Sequence, residues 1–422
     1  MTEAIVAVFC IVYLGMILGG LPHLQLDRTG VALLGAIALI GMEALSLEDA
    51  ARSIHLPTLI ILFAFMVVSA QMRLGGFYDW VTLRLTHSAL SPPLLLGALI
   101  FVVAALAAVF SNDIVCLAVA PVLIDACRER KLDPLPYLLA LACAANIGSA
   151  ATLIGNPQNM LIGQTLQLSF AGYFLDAAAP VLAGLFVTWG LLVGRVRARG
   201  AVVISAAPDR APTRAPVPST GPSPARPALD RWQTAKGLAV ASTVVLCFVF
   251  TPWPREVVAL TGAGVLLMSR KLHSRNMLGL VDWELLVLFM GLFVVNHALQ
   301  QTGLPAQLMA HAVAAGVPLQ HPAPLFGATF LLSNVVSNVP AVMLLLPSAS
   351  HPFGGLTLAL VSTLAGNLFI VGSIANIIVV DAAARRGVAI DWRCHALVGI
   401  PVTLATLALT AGYLALRMAA GA

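Results

Sequence analysis

Charge is scarce in this sequence. Of 422 residues only 10% are Asp, Glu, Lys or Arg, while 59% are hydrophobic; a soluble globular chain carries about 25% charged residues. So little charge cannot cover a water-facing surface, and the chain reads as a polytopic membrane protein. Alternating strand patterns of about ten residues, the mark of an outer-membrane barrel, are missing. Apolar runs of about 17–25 residues recur instead, each long enough for a spanning helix. An all-α fold follows, because a backbone in lipid must satisfy its own hydrogen bonds.

Other absences narrow the function. The six cysteines, Cys10, Cys116, Cys127, Cys143, Cys247 and Cys394, show no CxxC or metal spacing and read as small apolar packing residues. No GxxxxGK[ST] loop is present, which argues against ATP-driven work by this chain alone. No HExxH, His-rich cluster or GxSxG is present, so a membrane hydrolase lacks its parts. The expectation is no enzyme, no metal site and no cofactor beyond a coupling Na⁺ or H⁺. The basic excess of +5 lies in loops beside helices, which suits orientation on a membrane and not nucleic acid. The opening "MTEAIVAVFCIVYLGMILGG" has no Lys or Arg before its apolar run and no small-residue cleavage site, so it reads as a first spanning helix.

What is present is organised as two related halves. Residues 195–236, rich in Pro, Ala, Ser and Arg, read as a disordered linker. It separates an N-terminal transmembrane repeat (1–194) from a C-terminal one (237–422). "DRTGVALLGAIALI" (27–40) parallels "PREVVALTGAGVLLM" (254–268), and "LPTLIILFAFMVVSAQMRLGGF" (56–77) parallels "DWELLVLFMGLFVVNHALQQTGL" (282–304). Ser111, Asn112 and Pro121 match Ser337, Asn338 and Pro347 at an offset of 226. "TLIGNPQNMLI" (152–162) parallels "FIVGSIANIIV" (369–379), setting Gly155 against Gly372 and Asn159 against Asn376. Four ordered matches make a strong internal repeat.

In the first half the spanning helices fall at 4–21, 29–43 and 56–74. A polar-tipped segment follows (92–110, tip 111–113, 114–127), then a long helix broken at Gly155–Asn159 and a closing helix at 172–194. The second half places its elements near 237–252, 256–270, 283–302, 323–349, 356–384 and 395–416. If each tipped segment is a re-entrant hairpin, a half crosses the membrane five times and the halves are inverted. That gives about ten spanning helices plus two hairpins; the long arm 92–110 leaves full spanning of the hairpin arms open. With the linker cytoplasmic and both termini periplasmic, 20 of the 23 Lys and Arg fall on the cytoplasmic side. Only Arg52, Arg255 and Arg417 do not, which is the positive-inside bias.

Inverted repeats with matching interrupted helices point to a secondary transporter. A broken helix offers N–H groups to anionic or polar groups and C=O groups to cations. Gly155 supplies conformational freedom and Pro157 starts a new half-helix. Asn156 and Asn159 offer donors and acceptors. Substrate binding is therefore assigned to Ser111, Asn112, Asn156, Asn159, Ser337, Asn338, Ser373 and Asn376. The coupling ion is assigned to Asp113, Asn146, Thr152, Gly155, Asn367 and Gly372. Asp113 stands in an otherwise uncharged stretch, where a lone carboxylate is costly and functional by default; its repeat counterpart is Val339. The plainer reading makes Asp113 a cap for the helix that follows it. Asp176, Asp282, Glu284 and His297 lie at helix ends and read as interfacial groups.

The stretches "SNDIVCLAVAPV", "NIGSAATLIGNPQN", "SNVVSNVPAVMLLLP" and "GNLFIVGSIANII" resemble the ion transporter superfamily. That group includes arsenite permeases, divalent-anion/sodium symporters, citrate–metal carriers and a sodium/proton antiporter branch. The likeness is greatest to inner-membrane anion permeases of the arsenite-permease-like branch. It implies hairpins entering from opposite sides, a site between their tips, and a scaffold holding a moving transport unit, commonly as an elevator-type homodimer. Divalent-anion symporters carry Ser-Asn-Thr at both tips. Here the tips read Ser111-Asn112-Asp113 and Ser337-Asn338-Val339, and the Asn-Asp pair is that of arsenite permeases. The expected function is transport of a small inorganic or organic anion, an oxyanion or an arsenite-like solute across the bacterial inner membrane, coupled to H⁺ or Na⁺. The expected partners are that solute, membrane lipid and a second copy of the chain. The alternative is a Na⁺/H⁺ antiporter of the same superfamily.

Overall fold

The computed structural model describes residues 1–20, 26–203 and 228–421. Among them are twenty α-helices and no strand. The first ten are α1 (Thr2–Leu18), α2 (Arg28–Gly41), α3 (Leu47–Ser53), α4 (Leu56–Leu74), α5 (Phe77–Thr86), α6 (Pro92–Phe110), α7 (Asn112–Glu129), α8 (Pro134–Ser149), α9 (Pro157–Thr165) and α10 (Phe170–Val203). The second ten are α11 (Arg231–Phe250), α12 (Arg255–Leu267), α13 (Ser274–Leu278), α14 (Trp283–Gln301), α15 (Leu304–Ala314), α16 (Pro322–Val336), α17 (Asn338–Leu345), α18 (Gly354–Ala365), α19 (Ile374–Ala384) and α20 (Trp392–Ala419). The two series run in the same order, element for element. Of the proline-rich stretch, 195–203 continue α10 and 231–236 begin α11; the disorder expected of 204–227 falls outside the described residues.

Local chemistry sets the boundaries. Asp27, Asp230, Asp282 and Asp391 each accept a backbone N–H in the first turn of the helix they precede, satisfying donors that a helix start leaves free. Proline opens α6, α8, α9 and α16, where its missing N–H costs nothing. Pro347 sits in a 3₁₀ turn, Leu346–Ser348, so the second hairpin's return arm stops at Leu345 instead of running on to 349.

Among the described residues six helices are long and apolar enough to cross a membrane unaided, including the first hairpin arm Pro92–Phe110. At a rise of about 1.5 Å per residue, α2 and α12, with 14 and 13 residues, fall short of full thickness on their own. Elsewhere a break divides one crossing into two short helices, as in α8 with α9 and α18 with α19.

Packing separates the helices into two groups. In one, α14 lies on α2, α12 on α4, and α11 on both α4 and α12. Gly291 allows that closeness: a Cβ there would lie 2.8 Å from the Ala32 backbone, the small-residue contact that membrane helices use. In the other group α6 and α7 enclose α8, α19 lies on α7 and α8, α16 on α18, and α10 on α20. The groups meet where α9 touches α4 and α17 touches α14.

Ionic contacts mark the two ends of the bundle. At the linker end Arg195 donates to Leu397 O at 2.5 Å, Lys236 to Met268 O at 3.0 Å, and Arg386 pairs with Asp125 at 3.5 Å. At the end carrying the C-terminus Arg417 pairs with Asp176 at 2.7 Å.

Candidate functional site

Two hairpin tips and two helix breaks form the polar centre. Ser111 (φ 70°) and Ser337 (φ 77°) are left-handed without being glycine, a conformation that costs energy and collects at functional positions. Each turns the chain straight from one arm into the next. The backbone N–H of Asn112 then donates to Gly155 O at 3.1 Å, docking the first tip on the break between α8 and α9. Gly155 is needed there for close approach and not for an unusual φ: a Cβ would lie 2.2 Å from Ser149 O. This corrects the expectation that its role is conformational freedom. Gly372, its counterpart, ends a 3₁₀ turn (Ile370–Gly372). The residues that follow share extended geometry, φ −155° and ψ 161° at Asn156, φ −145° and ψ 139° at Ser373.

Asn146 on α8 is the hub. Its Oδ1 accepts from Asn112 Nδ2 and from Ser373 Oγ, both at 2.9 Å. Its Nδ2 donates to Asn367 Oδ1 at 2.9 Å and Asn376 Oδ1 at 3.1 Å. One buried amide thereby uses two donors and two acceptors to join the first tip to the second break. Asn376 in turn donates to Gly366 O (2.8 Å) and Phe369 O (3.1 Å), closing the α18–α19 break. His395 on α20 reaches Asn367 O at 3.0 Å.

The first break is tied the same way. Asn156 Oδ1 accepts Asn159 N–H at 2.9 Å, and its Nδ2 donates to Ser149 Oγ (3.0 Å) and Thr363 Oγ1 (3.2 Å). Asn159 Nδ2 donates to Thr152 O at 3.0 Å and to the Tyr173 hydroxyl at 3.2 Å. Ser149 Oγ donates to Asn146 O at 2.8 Å, so the two networks are continuous. Thr152 itself donates to Ala108 O on α6 at 2.5 Å and pins a hairpin arm. Sequence reasoning passed over Ser149, which bonds within its helix and across the break, and Gln158, Thr363, Tyr173 and His395, whose partners lie on other segments.

Asp113, half-buried in the first turn of α7, lies beside the backbone N–H of Ala375 at the start of α19. Ser373 makes no side-chain cap to α19. The carboxylate therefore faces the N-terminal end of a helix of the other half, a stabilising place for negative charge.

Three buried side-chain atoms in this centre have no hydrogen-bond partner among the described residues: Asn112 Oδ1, Asn338 Oδ1 and Asn367 Nδ2. Such atoms are costly unless something satisfies them. Asn338 packs beside Gly366, where a Cβ would come within 3.0 Å of its Nδ2. The Ser111 and Ser337 hydroxyls, half-buried, have no hydrogen-bond partner among the described residues. A cleft of about 420 Å³ leads in from the linker end between Asp27, Arg28, Asp282 and Glu284 on one side and Ile374 and Ile377 on the other.

The chain has relatives along nearly its whole length. Residues 11–365 match the family model described as Citrate transporter. The chain is similar to the 46 kDa membrane protein of Mycobacterium leprae (strain TN), 29% identical over 416 residues that cover 93% of this chain and 94% of that protein. It is similar to the silicon efflux transporter LSI3 of Oryza sativa subsp. japonica, 29% identical with 92% of each chain covered. It is also 29% identical to the inner membrane protein YbiR of Escherichia coli (strain K12), over 82% of this chain and 84% of that one.

Proposed function

Because the chain belongs to the citrate transporter family, a family of membrane transporters, we propose that it is a secondary active transporter for a small oxyanion or arsenite-like solute, coupled to H⁺ or Na⁺. It works by alternating access of two inverted halves, with the second packing group sliding on the first as an elevator. It sits in the bacterial inner membrane as a homodimer, with its linker cytoplasmic and both termini periplasmic, as the basic loops favour. No net chemistry occurs on the solute.

The observation that carries this reading is the set of unpartnered atoms around the Asn146 hub. Asn112 Oδ1 and Asn338 Oδ1 call for donors, and Asn367 Nδ2 for an acceptor. A protonated oxyacid, with hydroxyls to give and an oxygen to take, matches all three. No Lys or Arg hydrogen-bonds into the network among the described residues, so a multiply charged carboxylate fits it less well. Asp113, near the start of α19, is the carboxylate that would carry the coupling ion. Flux into proteoliposomes under imposed pH and sodium gradients tests the reading: uptake of arsenite or silicate should follow one gradient and collapse with it.

A second reading has its own support. Two free amide oxygens and the Asp113 carboxylate are oxygen ligands of the kind a hard cation takes. A Na⁺/H⁺ antiporter would exchange the two ions with no oxyacid present, and that exchange would displace the primary reading.

A further inference from the structure

The two halves meet their surroundings unequally. Arg255, the first residue of α12, donates through Nη1 to Gly163 O at 3.5 Å and through Nη2 to Leu168 O. Those carbonyls end α9. There Gln167 (φ 51°) turns the chain out of the helix and Leu168 N–H returns to Gly163 O at 3.1 Å. An arginine of the first packing group thus grips the far end of a helix of the second. The match suits the side chain: a planar fork with permanent charge meets two carbonyls at the negative end of a helix.

Arg28 is the counterpart of Arg255, aligned with it in the repeat and likewise opening its helix, α2. The counterpart acceptor end also exists. α19 ends as α9 does, with Gly387 (φ 71°) in place of Gln167 and Val388 N–H returning to Ala383 O at 2.9 Å. Yet the half-buried Arg28 has no hydrogen bond or ion pair among the described residues. It faces the start of α19 across the cleft, level with Val371, Ile374 and Ile377. Those residues are 58%, 38% and 38% exposed, whereas their repeat counterparts Ile154, Pro157 and Met160 are buried.

We propose that Arg255 and Arg28 are alternate anchors of the transport cycle. Arg255 holds the end of α9 in the state seen here. In the opposite state Arg28 holds the end of α19 through Ala383 O and Val388 O, and Arg255 is released. The proposal rests on the inverted-repeat, moving-unit reading above. It also sets the length of the stroke. Bringing Ala383 to the level now held by Ile374 takes nine residues of helix at about 1.5 Å each, or about 14 Å.

The experiment uses the full chain in membrane vesicles, with its six cysteines replaced and one reporter cysteine at a time, Ile374→Cys or Met160→Cys. An impermeant maleimide is applied from each side, and the ratio of the two labelling rates reports the balance of states. Arg255→Gln should lower Ile374→Cys labelling and raise Met160→Cys labelling severalfold. Arg28→Gln should do the reverse, and the double variant should return towards the parent ratio. Arg→Lys at either position, a charge without the fork, should shift the ratio in the same direction by less; it serves where the Gln variant fails to accumulate. Ratios that move the same way in both single variants, or do not move, overturn the anchors. A Met160→Cys that never labels in the otherwise unaltered chain, while flux continues, overturns the moving-unit reading itself.

Discussion

Ser373 donates its hydroxyl to Asn146 Oδ1 across 2.9 Å, from 227 positions further along the chain. That single contact binds the second break to the helix that ends at the first. Replacing Asn146 with Ala should strand the partners on Asn112, Ser373, Asn367 and Asn376, while Ser373→Ala removes one donor. Asn146→Ala is expected to destabilise by about 3 kcal/mol and Ser373→Ala by about 1 kcal/mol, read as thermal unfolding in detergent. Equal losses would show that Asn146 is no hub.

Gly155 and Gly372 are sequence counterparts with unequal room. A Cβ at Gly155 would lie 2.2 Å from Ser149 O, whereas at Gly372 the nearest atom would be Gly366 O at 3.1 Å. Gly155→Ala should therefore cost about 3 kcal/mol and Gly372→Ala about 1 kcal/mol. A tolerated Gly155→Ala would mean the first break is loosely packed.

Asn338 and Asn376 separate binding from folding. Asn338 Oδ1 is unpartnered, while the Asn376 amide closes its break through Gly366 and Phe369. Asn338→Ala should leave the melting temperature nearly unchanged but abolish stabilisation by the solute, about 2.7 kcal/mol at a hundredfold excess over Kd. Asn376→Ala should lower the melting temperature without solute. A thermal-shift titration with arsenite, silicate and citrate distinguishes the two.

Asp113→Asn keeps an oxygen near the Ala375 N–H but can neither carry a proton nor offer a cation a negative charge. Gradient-driven uptake should vanish while solute-induced stabilisation survives. Undiminished uptake by this variant would remove Asp113 from coupling.

Much of this architecture was readable because breaks in apolar helices are written in conspicuous residues. Gly155, Asn156, Pro157 and the Ser-Asn tips announce themselves against leucine and valine, and their recurrence fixed the order of the elements. Asp282, read at a helix end, caps α14, whereas the last helix begins at Trp392 behind its Asp391 cap, three residues before the position expected. What stayed hidden were partners supplied from a distance. Thr363 and His395 look like ordinary polar residues in apolar helices until docking sets them against Asn156 and Asn367. Asp113 resembled a cap for its own helix because nothing local says that Ala375 will arrive beside it. Asn146 reads from sequence as one of six coupling-ion residues and not as the hub, since a lone amide in a buried helix gives no sign of how many neighbours it serves.

The reliance of Asn146 on Asn367, Ser373 and Asn376 also orders the protein's birth. The ribosome delivers this amide more than two hundred residues before the three groups that complete it. The early segments therefore enter the bilayer carrying a polar debt that water or an insertase must cover until the last helices emerge. The N-terminal half expressed alone would be left with that amide short of three partners, and the C-terminal half with Asn367, Ser373 and Asn376 deprived of it; each would be expected to be cleared by membrane proteases, and co-expression of the two fragments would be expected to rescue both.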